Sequence, residues 1–246
     1  MTPKSVGVIG LALIGLTAAS PMVVGPAKAQ NLKPSVVSPD TSLEQALADI
    51  SPTDWSAQSS SQLVQRVLSR ATRADLDTAA ASGDPRAETI LAMARSFGLG
   101  GYAEDKVEAV RLYGAAAARA FAPAQEYLAW HYEEGDGVAV DISAAIRLHR
   151  SAADQGYARA QINLGVRYLQ GSLVAQDYPE AMRLFRSAAD NGNLHGMRNV
   201  GFMYERGFGV PADMSQAIYW YRRAGQLGFE PAHADLKRLG VGSSRE

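Results

Sequence analysis

The sequence repeats itself with a period of 36 residues. The segment "GVAVDISAAIRLHRSAADQGYARAQINLG" (137–165) is followed by "LVAQDYPEAMRLFRSAADNGNLHGMRNVG" (173–201), and similar residue types return at the same step elsewhere. Four series share this spacing: Asp105, Asp141, Asp177 and Asp213; Ala109, Ala145, Ala181 and Ala217; Gly156, Gly192 and Gly228; and Ala124, Ala160, Gly196 and Ala232. A fixed period of this size indicates a repeat array, in which each unit packs against its neighbours.

Each period has the pattern of two helices. We number four units along the chain, at about 84–121, 122–157, 158–193 and 194–229. In unit 2, Ala124, Leu128 and Tyr132 recur at four-residue steps, which predicts one face of a first helix. Asp141 then stands where a second helix needs an N-cap, and Gly156 can adopt the left-handed conformation that ends a helix. The predicted fold is all-α, a right-handed α-solenoid (superhelix) of antiparallel helix pairs.

The regions on either side of the array also have helical patterns. Residues 41–83 are predicted to form N-terminal helices: one beginning at Thr41 with a capping box to Glu44, a loop at 56–61, and a degenerate hairpin at 61–83 that caps the array. The array itself is placed at 84–240, with a C-terminal capping helix after unit 4. Residues 241–246 are left as a tail.

The first 29 residues have the pattern of a cleaved signal peptide. Lys4 gives a positive start, residues 6–19 form an apolar stretch, and Ala27-Lys28-Ala29 is a small-x-small cleavage site. An uncleaved anchor is the alternative, but a membrane span needs about 20 apolar residues. We therefore expect a secreted, periplasmic protein cleaved after Ala29, with a flexible leader at 30–40. No membrane span is expected in the mature chain.

The charge and cysteine content exclude several classes of function. Loss of Lys4 and Lys28 with the signal peptide leaves 22 basic residues against 25 acidic ones, so no basic stripe for nucleic acid is expected. The chain has no cysteine, which excludes disulfides, a thiol nucleophile and lipid attachment through a cysteine. Stability is therefore expected to come from helix packing.

Three segments carry a resemblance to a known family. The stretches "NLGVRYLQG", "DYPEAMRLFRSAADNGN" and "VGFMYERGFGVPADMSQAIYWYRRAGQLG" resemble the Sel-one-like repeat family, a relative of the tetratricopeptide repeat, and the resemblance covers about 84–240. Unit 1 departs most, with Arg95 where later units have tyrosine and Ala120 where they have glycine. The resemblance implies a non-catalytic adaptor or scaffold. Exported bacterial members regulate envelope signalling, polysaccharide production or motility by binding other proteins.

Motifs for chemistry are weak by comparison. The Gly-x-Gly elements at 98–100, 135–137 and 207–209 all fall between the two helices of a unit, where glycine serves as a turn residue. The four histidines lack metal-site spacing, and no Gly-x-Ser-x-Gly elbow is present. No catalytic, cofactor-binding or metal-binding residue is therefore assigned, and no cofactor is expected.

The alternative functions are a cell-envelope enzyme and a peptidoglycan- or carbohydrate-binding accessory protein. Aromatic residues available for sugar stacking are Trp130, Tyr132, Tyr204, Trp220 and Tyr221.

One row on the first helices is apolar in every unit: Met93, Trp130, Val166 and Phe202. The positions beside it change from acidic in unit 2, at Glu126 and Glu134, to basic in unit 4. There Arg198 and Arg206 lie one helical turn from Phe202. The row either packs between units or binds a protein partner. In the second case Trp130 and Phe202 would contact apolar groups, and Arg198 and Arg206 would contact acidic ones. The second-helix face around Arg147, Arg183 and Tyr219 is the other candidate surface.

Overall fold

The computed structural model describes residues 42–242. Within this range there are thirteen helices and no strand. They are α1 (Ser42–Ala48), α2 (Pro52–Ala57), α3 (Ser60–Leu68), α4 (Arg73–Ala81), α5 (Pro85–Phe97), α6 (Lys106–Ala118), α7 (Ala122–Glu134), α8 (Ile142–Asp154), α9 (Ala158–Gln170), α10 (Tyr178–Asp190), α11 (Leu194–Arg206), α12 (Met214–Gln226) and α13 (Glu230–Arg238). None of them combines the length and apolar character that a membrane crossing requires. The predicted signal peptide, leader, Thr41 and residues 243–246 lie outside the described residues.

The predicted caps explain why the repeat helices begin and end where they do. All eight helices from α5 to α12 have 13 residues. The side chains of the aspartate series each accept a backbone N–H three residues into the second helix: Asp105, Asp141, Asp177 and Asp213. The first helices end at glycines with left-handed backbone: Gly98, Gly135, Gly171 and Gly207. Because carboxylates suit the positive helix end and glycine tolerates positive φ, the repeat pattern fixes the end of each first helix and the start of each second helix.

The helices pack in sequential order, as an α-solenoid requires. Each repeat helix contacts the helix before it and the helix after it, with the most extensive contacts inside the pairs α5–α6, α7–α8, α9–α10 and α11–α12. Small residues make this approach feasible: the alanines at 109, 145, 181 and 217 are fully buried, and a Cβ at Gly201 would lie 2.8 Å from the Tyr221 ring. The all-α solenoid prediction is confirmed.

The N-terminal region differs from the sequence prediction. The predicted loop at 56–61 is wrong, because α2 occupies Pro52–Ala57 and only Gln58 and Ser59 separate it from α3. Ser51 and Asp54 form a capping box, and Pro52 occupies the first turn. A six-residue helix is too short to show a period, so only these cap residues indicated it.

This short helix docks at the starts of α7 and α9, the first helices of units 2 and 3. The Trp55 ring is 4% exposed and meets the Phe121 ring edge-on, with centroids 5.2 Å apart. The Tyr157 hydroxyl donates to the Trp55 carbonyl at 2.8 Å. The N-terminal region therefore contacts units beyond the first one.

Ala120 adopts a left-handed backbone, with φ of 58°, at the position that Gly156 holds in unit 2. This conformation costs an L-residue about 1–2 kcal/mol, and part of that cost is offset by the lower chain entropy of alanine. Ala120→Gly should therefore raise the free energy of unfolding by up to about 1 kcal/mol. Gly156→Ala is the matched control, since φ there is +81° and the nearest atom to an added Cβ is 3.9 Å away. Gly156→Ala should lower the free energy of unfolding by a similar amount, as measured by urea titration. A destabilised Ala120→Gly variant would contradict this account.

Candidate functional site

The apolar row on the first helices is mostly internal packing. Met93 and Val166 are buried, and Phe202 is 9% exposed. Trp130 is the one half-buried member, and its ring meets the His131 ring at 4.9 Å. First helices in a solenoid contact a neighbour on both sides, so their apolar positions are enclosed by adjacent units. Of this row, only Trp130 is partly exposed to solvent.

The two predicted arginines have different environments. The sequence-based placement of Arg198 as an exposed cation is wrong. Its side chain is 15% exposed and its guanidinium is paired with the Asp235 carboxylate on α13. Asp235 lies 37 residues further along, one period plus one, on the helix that packs next to α11 as the following first helix. Arg206 is 50% exposed, its Nε lies 3.8 Å from Glu205 Oε1, and its Cζ lies 5.7 Å from the Phe202 ring centre. Arg206 therefore retains a cation that can contact a partner.

Of the two acidic residues beside the row in unit 2, Glu134 is exposed but Glu126 is not. The Glu126 carboxylate is buried against His149, with Nδ1 2.7 Å from Oε2. The other imidazole nitrogen, Nε2, lies 3.0 Å from Glu133 Oε1. Glu126 also accepts from the Asn163 amide, and Glu133 pairs with Arg167, both on α9. These five side chains form a polar network between units 2 and 3.

The network sets the protonation of its members. Burial alone would lower the pKa of His149, but the adjacent carboxylates of Glu126 and Glu133 more than offset burial and raise this pKa to about 9. Burial opposes ionisation of Glu126, yet its interactions with His149 and Asn163 hold the Glu126 pKa below its usual value. At neutral pH the imidazolium thus donates to both carboxylates. The imidazole and both carboxylates are closed off from solvent, and the network is best understood as structural.

The aromatic residues considered for sugar stacking are largely engaged within the fold. Tyr221 is buried and its hydroxyl donates to Glu205 at 2.9 Å. Tyr204 accepts a hydrogen bond from Arg186, and Tyr132 and Trp220 are half-buried. In residues 42–242 no group of three or more histidine or acidic side chains has the arrangement of a metal site. The Gly-x-Gly elements lie in the turns between paired helices.

Comparisons with known proteins agree with the repeat geometry. The Sel1 repeat family matches four consecutive segments, 85–121, 122–157, 158–193 and 194–229. No curated protein matches the chain. Among solved structures, the Sel1 repeat protein from Oxalobacter formigenes is 29% identical with a TM-score of 0.63, over 80% of this chain and 57% of that one.

A second solved structure is similar to the same degree. It is a protective antigen present in uropathogenic Escherichia coli strains that displays an SLR fold, 29% identical with a TM-score of 0.64, over 83% of this chain and 45% of that one. The chain thus spans about half the length of each of these two proteins. The four family matches run from residue 85 to residue 229, more than half of the sequence. By its repeats and by its fold, the chain belongs to the Sel1 repeat family, the family of Sel-one-like repeats.

Proposed function

We propose that the protein is a non-catalytic scaffold of the periplasm that binds a protein partner on its first-helix face. Sel1 repeats generally mediate protein–protein interaction, and the family assignment supports this class of function. The observation that carries the proposal is the exposed Arg206 over the Phe202 ring of α11. Phe202 holds the repeat position that the half-buried Trp130 holds in α7. Arginine and tryptophan are the residue types that dominate binding energy at protein interfaces.

The predicted site residues then divide into two roles. Trp130 and Arg206 contact the partner, with Trp130 receiving an apolar group and Arg206 a carboxylate. Phe202 and Arg198 support this surface from below, Phe202 through its ring under Arg206 and Arg198 through its ion pair with Asp235. The proposed partner is a protein with an acidic residue next to an apolar one. Roles in envelope signalling, polysaccharide production or motility are the settings in which such a scaffold acts.

Charge reversal at Arg206 tests the proposal. Arg206→Glu should leave thermal unfolding nearly unchanged, because the side chain is exposed, while reducing partner capture from envelope extract about tenfold. Lys237→Glu is the matched control: it makes the same charge change at an exposed position of α13. Equal capture by the two variants would remove the first-helix face from the proposal.

The proposed periplasmic location is tested by N-terminal sequencing of the protein from its native host, which should begin at Gln30.

A further inference from the structure

The other face of the array, formed by the exposed sides of α6, α8, α10 and α12, carries an excess of arginines. Two of them are neutralised within their own helix, Arg111 by Glu108 and Arg183 by Glu180. Five more have no ion pair with any carboxylate of residues 42–242: Arg147, Arg150, Arg186, Arg222 and Arg223. Besides Glu108 and Glu180, the acidic side chains on these four helices are Asp154 and Asp190, so the arginines outnumber them. This face is therefore cationic although the chain as a whole has a formal charge of −1.

Two of the unpaired arginines are held in place by the next unit. Arg150 donates to the Tyr168 hydroxyl at 3.0 Å, and Arg186 donates to the Tyr204 hydroxyl. The Arg186 Cζ also lies 5.6 Å from the Tyr204 ring centre. Each arginine is thus fixed over the junction between two units while its charge stays exposed. A pre-oriented cation loses less side-chain entropy when an anion binds.

The junction between units 3 and 4 forms a cleft beside Arg186. Its volume is about 530 Å³, and its lining combines apolar side chains with hydrogen-bond donors: Pro179, Met182, Val210, Arg183, Arg186 and Ser187. Gly209 lies at the side of the cleft, where the backbone passes so close to Tyr178 that a Cβ would lie 2.7 Å from its backbone. The equivalent residue at the preceding junction is Leu173, which has φ of 65° and is 41% exposed. The preceding junction therefore has an arginine but not this glycine.

We propose that this cleft binds an extended segment of a partner protein in which a glutamate or aspartate lies beside an apolar residue. The carboxylate pairs with Arg186, and the apolar side chain covers Met182 and Val210. Charge-assisted hydrogen bonds to a guanidinium are the strong ones, and the surrounding arginines attract the acidic segment over a longer range.

The lining also restricts the partner to a protein of this kind. Asp190 lies at the rim of the same cleft. A continuous polyanion, such as an acidic polysaccharide, would place charges against this carboxylate, whereas a single acidic residue with apolar neighbours would not. This surface goes beyond the proposed function, because it lies on another face and does not involve Trp130 or Arg206.

Peptide binding tests the cleft directly. The probe is a fluorescent synthetic peptide with a central Leu-Glu-Leu, measured by anisotropy on the full-length mature protein. Arg186→Gln should weaken its affinity about tenfold or more through loss of a charge-assisted pair. Arg147→Gln is the matched control, since it removes the same charge one unit away and should change affinity by about twofold or less. Tyr204→Phe, which keeps the charge but releases Arg186, should have an intermediate effect.

Each other outcome would overturn the assignment. Equal losses in the Arg186 and Arg147 variants would mean that only the general field of the face attracts the peptide. Equal affinity for a Leu-Gln-Leu peptide would mean that no carboxylate is recognised. Tighter binding of an oligogalacturonate than of the peptide would assign the face to anionic polysaccharide. The Arg206→Glu variant should bind the peptide normally, so failure of the first-helix proposal would not affect this result.

Discussion

Replacing His149 with alanine is expected to lower the free energy of unfolding by about 3–5 kcal/mol. The substitution removes the cation between the buried carboxylates of Glu126 and Glu133, which lie against its two ring nitrogens at 2.7 and 3.0 Å. The carboxylates would then repel each other in a region with little water. Removing one partner of a buried charged group is costly because the remaining charge keeps its desolvation penalty. Urea denaturation monitored by circular dichroism measures the change.

A surface ion pair supplies the control for this prediction. Arg111→Ala breaks an exposed pair with Glu108 on α6. Such pairs contribute about 0–1 kcal/mol, so this variant should remain close to the unsubstituted protein. If the two variants lost similar stability, the network between units 2 and 3 would not be a principal source of stability.

The pH dependence of folding separates the charge effect from the loss of packing. The pKa of His149 is about 9 in the folded protein and near 6.5 in an unfolded chain. Folding therefore favours the protonated form: the stabilising contribution is complete below pH 6.5 and is lost as the pH rises to about 9. Across that range the free energy of unfolding should fall by about 3 kcal/mol. The His149→Ala variant should lack this part of the slope, and an identical slope in both proteins would contradict the assigned pairing.

The helices of the repeat array could be predicted from the sequence because their boundaries depend on local chemistry. Asp141 caps α8 and Gly135 ends α7 through their own backbone and side-chain preferences, whatever packs on them. The 36-residue period then carried each assignment to the other units. Ala120 shows the strength of this register, since it takes the left-handed conformation of the glycine it replaces.

The surface could not be predicted in the same way. A helical wheel distinguishes a buried face from an exposed one, but a first helix in a stack also contacts the adjacent units. Glu126 and Arg198 were therefore placed at the surface, although Asn163 and Asp235 cover them from the following first helix. Both pairs are separated by 37 residues, one period plus one. Searching for complementary polar residues at this spacing would have found them.

Leu164→Ala is expected to cost about 2–5 kcal/mol. Leu164 is buried in α9, and its truncation removes apolar contacts and leaves a cavity that a packed interior fills only in part. The matched control is Val140→Ala, an apolar truncation at an exposed position, which should stay within about 0.5 kcal/mol of the unsubstituted protein. Similar losses in the two variants would mean that burial of Leu164 contributes little.

Hydrogen exchange should show which helices lose amide protection in the Leu164→Ala variant. Repeat units contact mainly their neighbours, so amides in α9 and α10 should lose the most protection, and those in α12 and α13 the least. We expect one exception, α2, which is distant in sequence but contacts this part of the array. The Tyr157 hydroxyl, just before α9, donates a hydrogen bond to the Trp55 carbonyl in α2. Its amides should therefore exchange faster together with those of α9. A uniform loss of protection in all units would contradict nearest-neighbour stability, and unchanged protection of α2 would mean that its docking does not depend on unit 3.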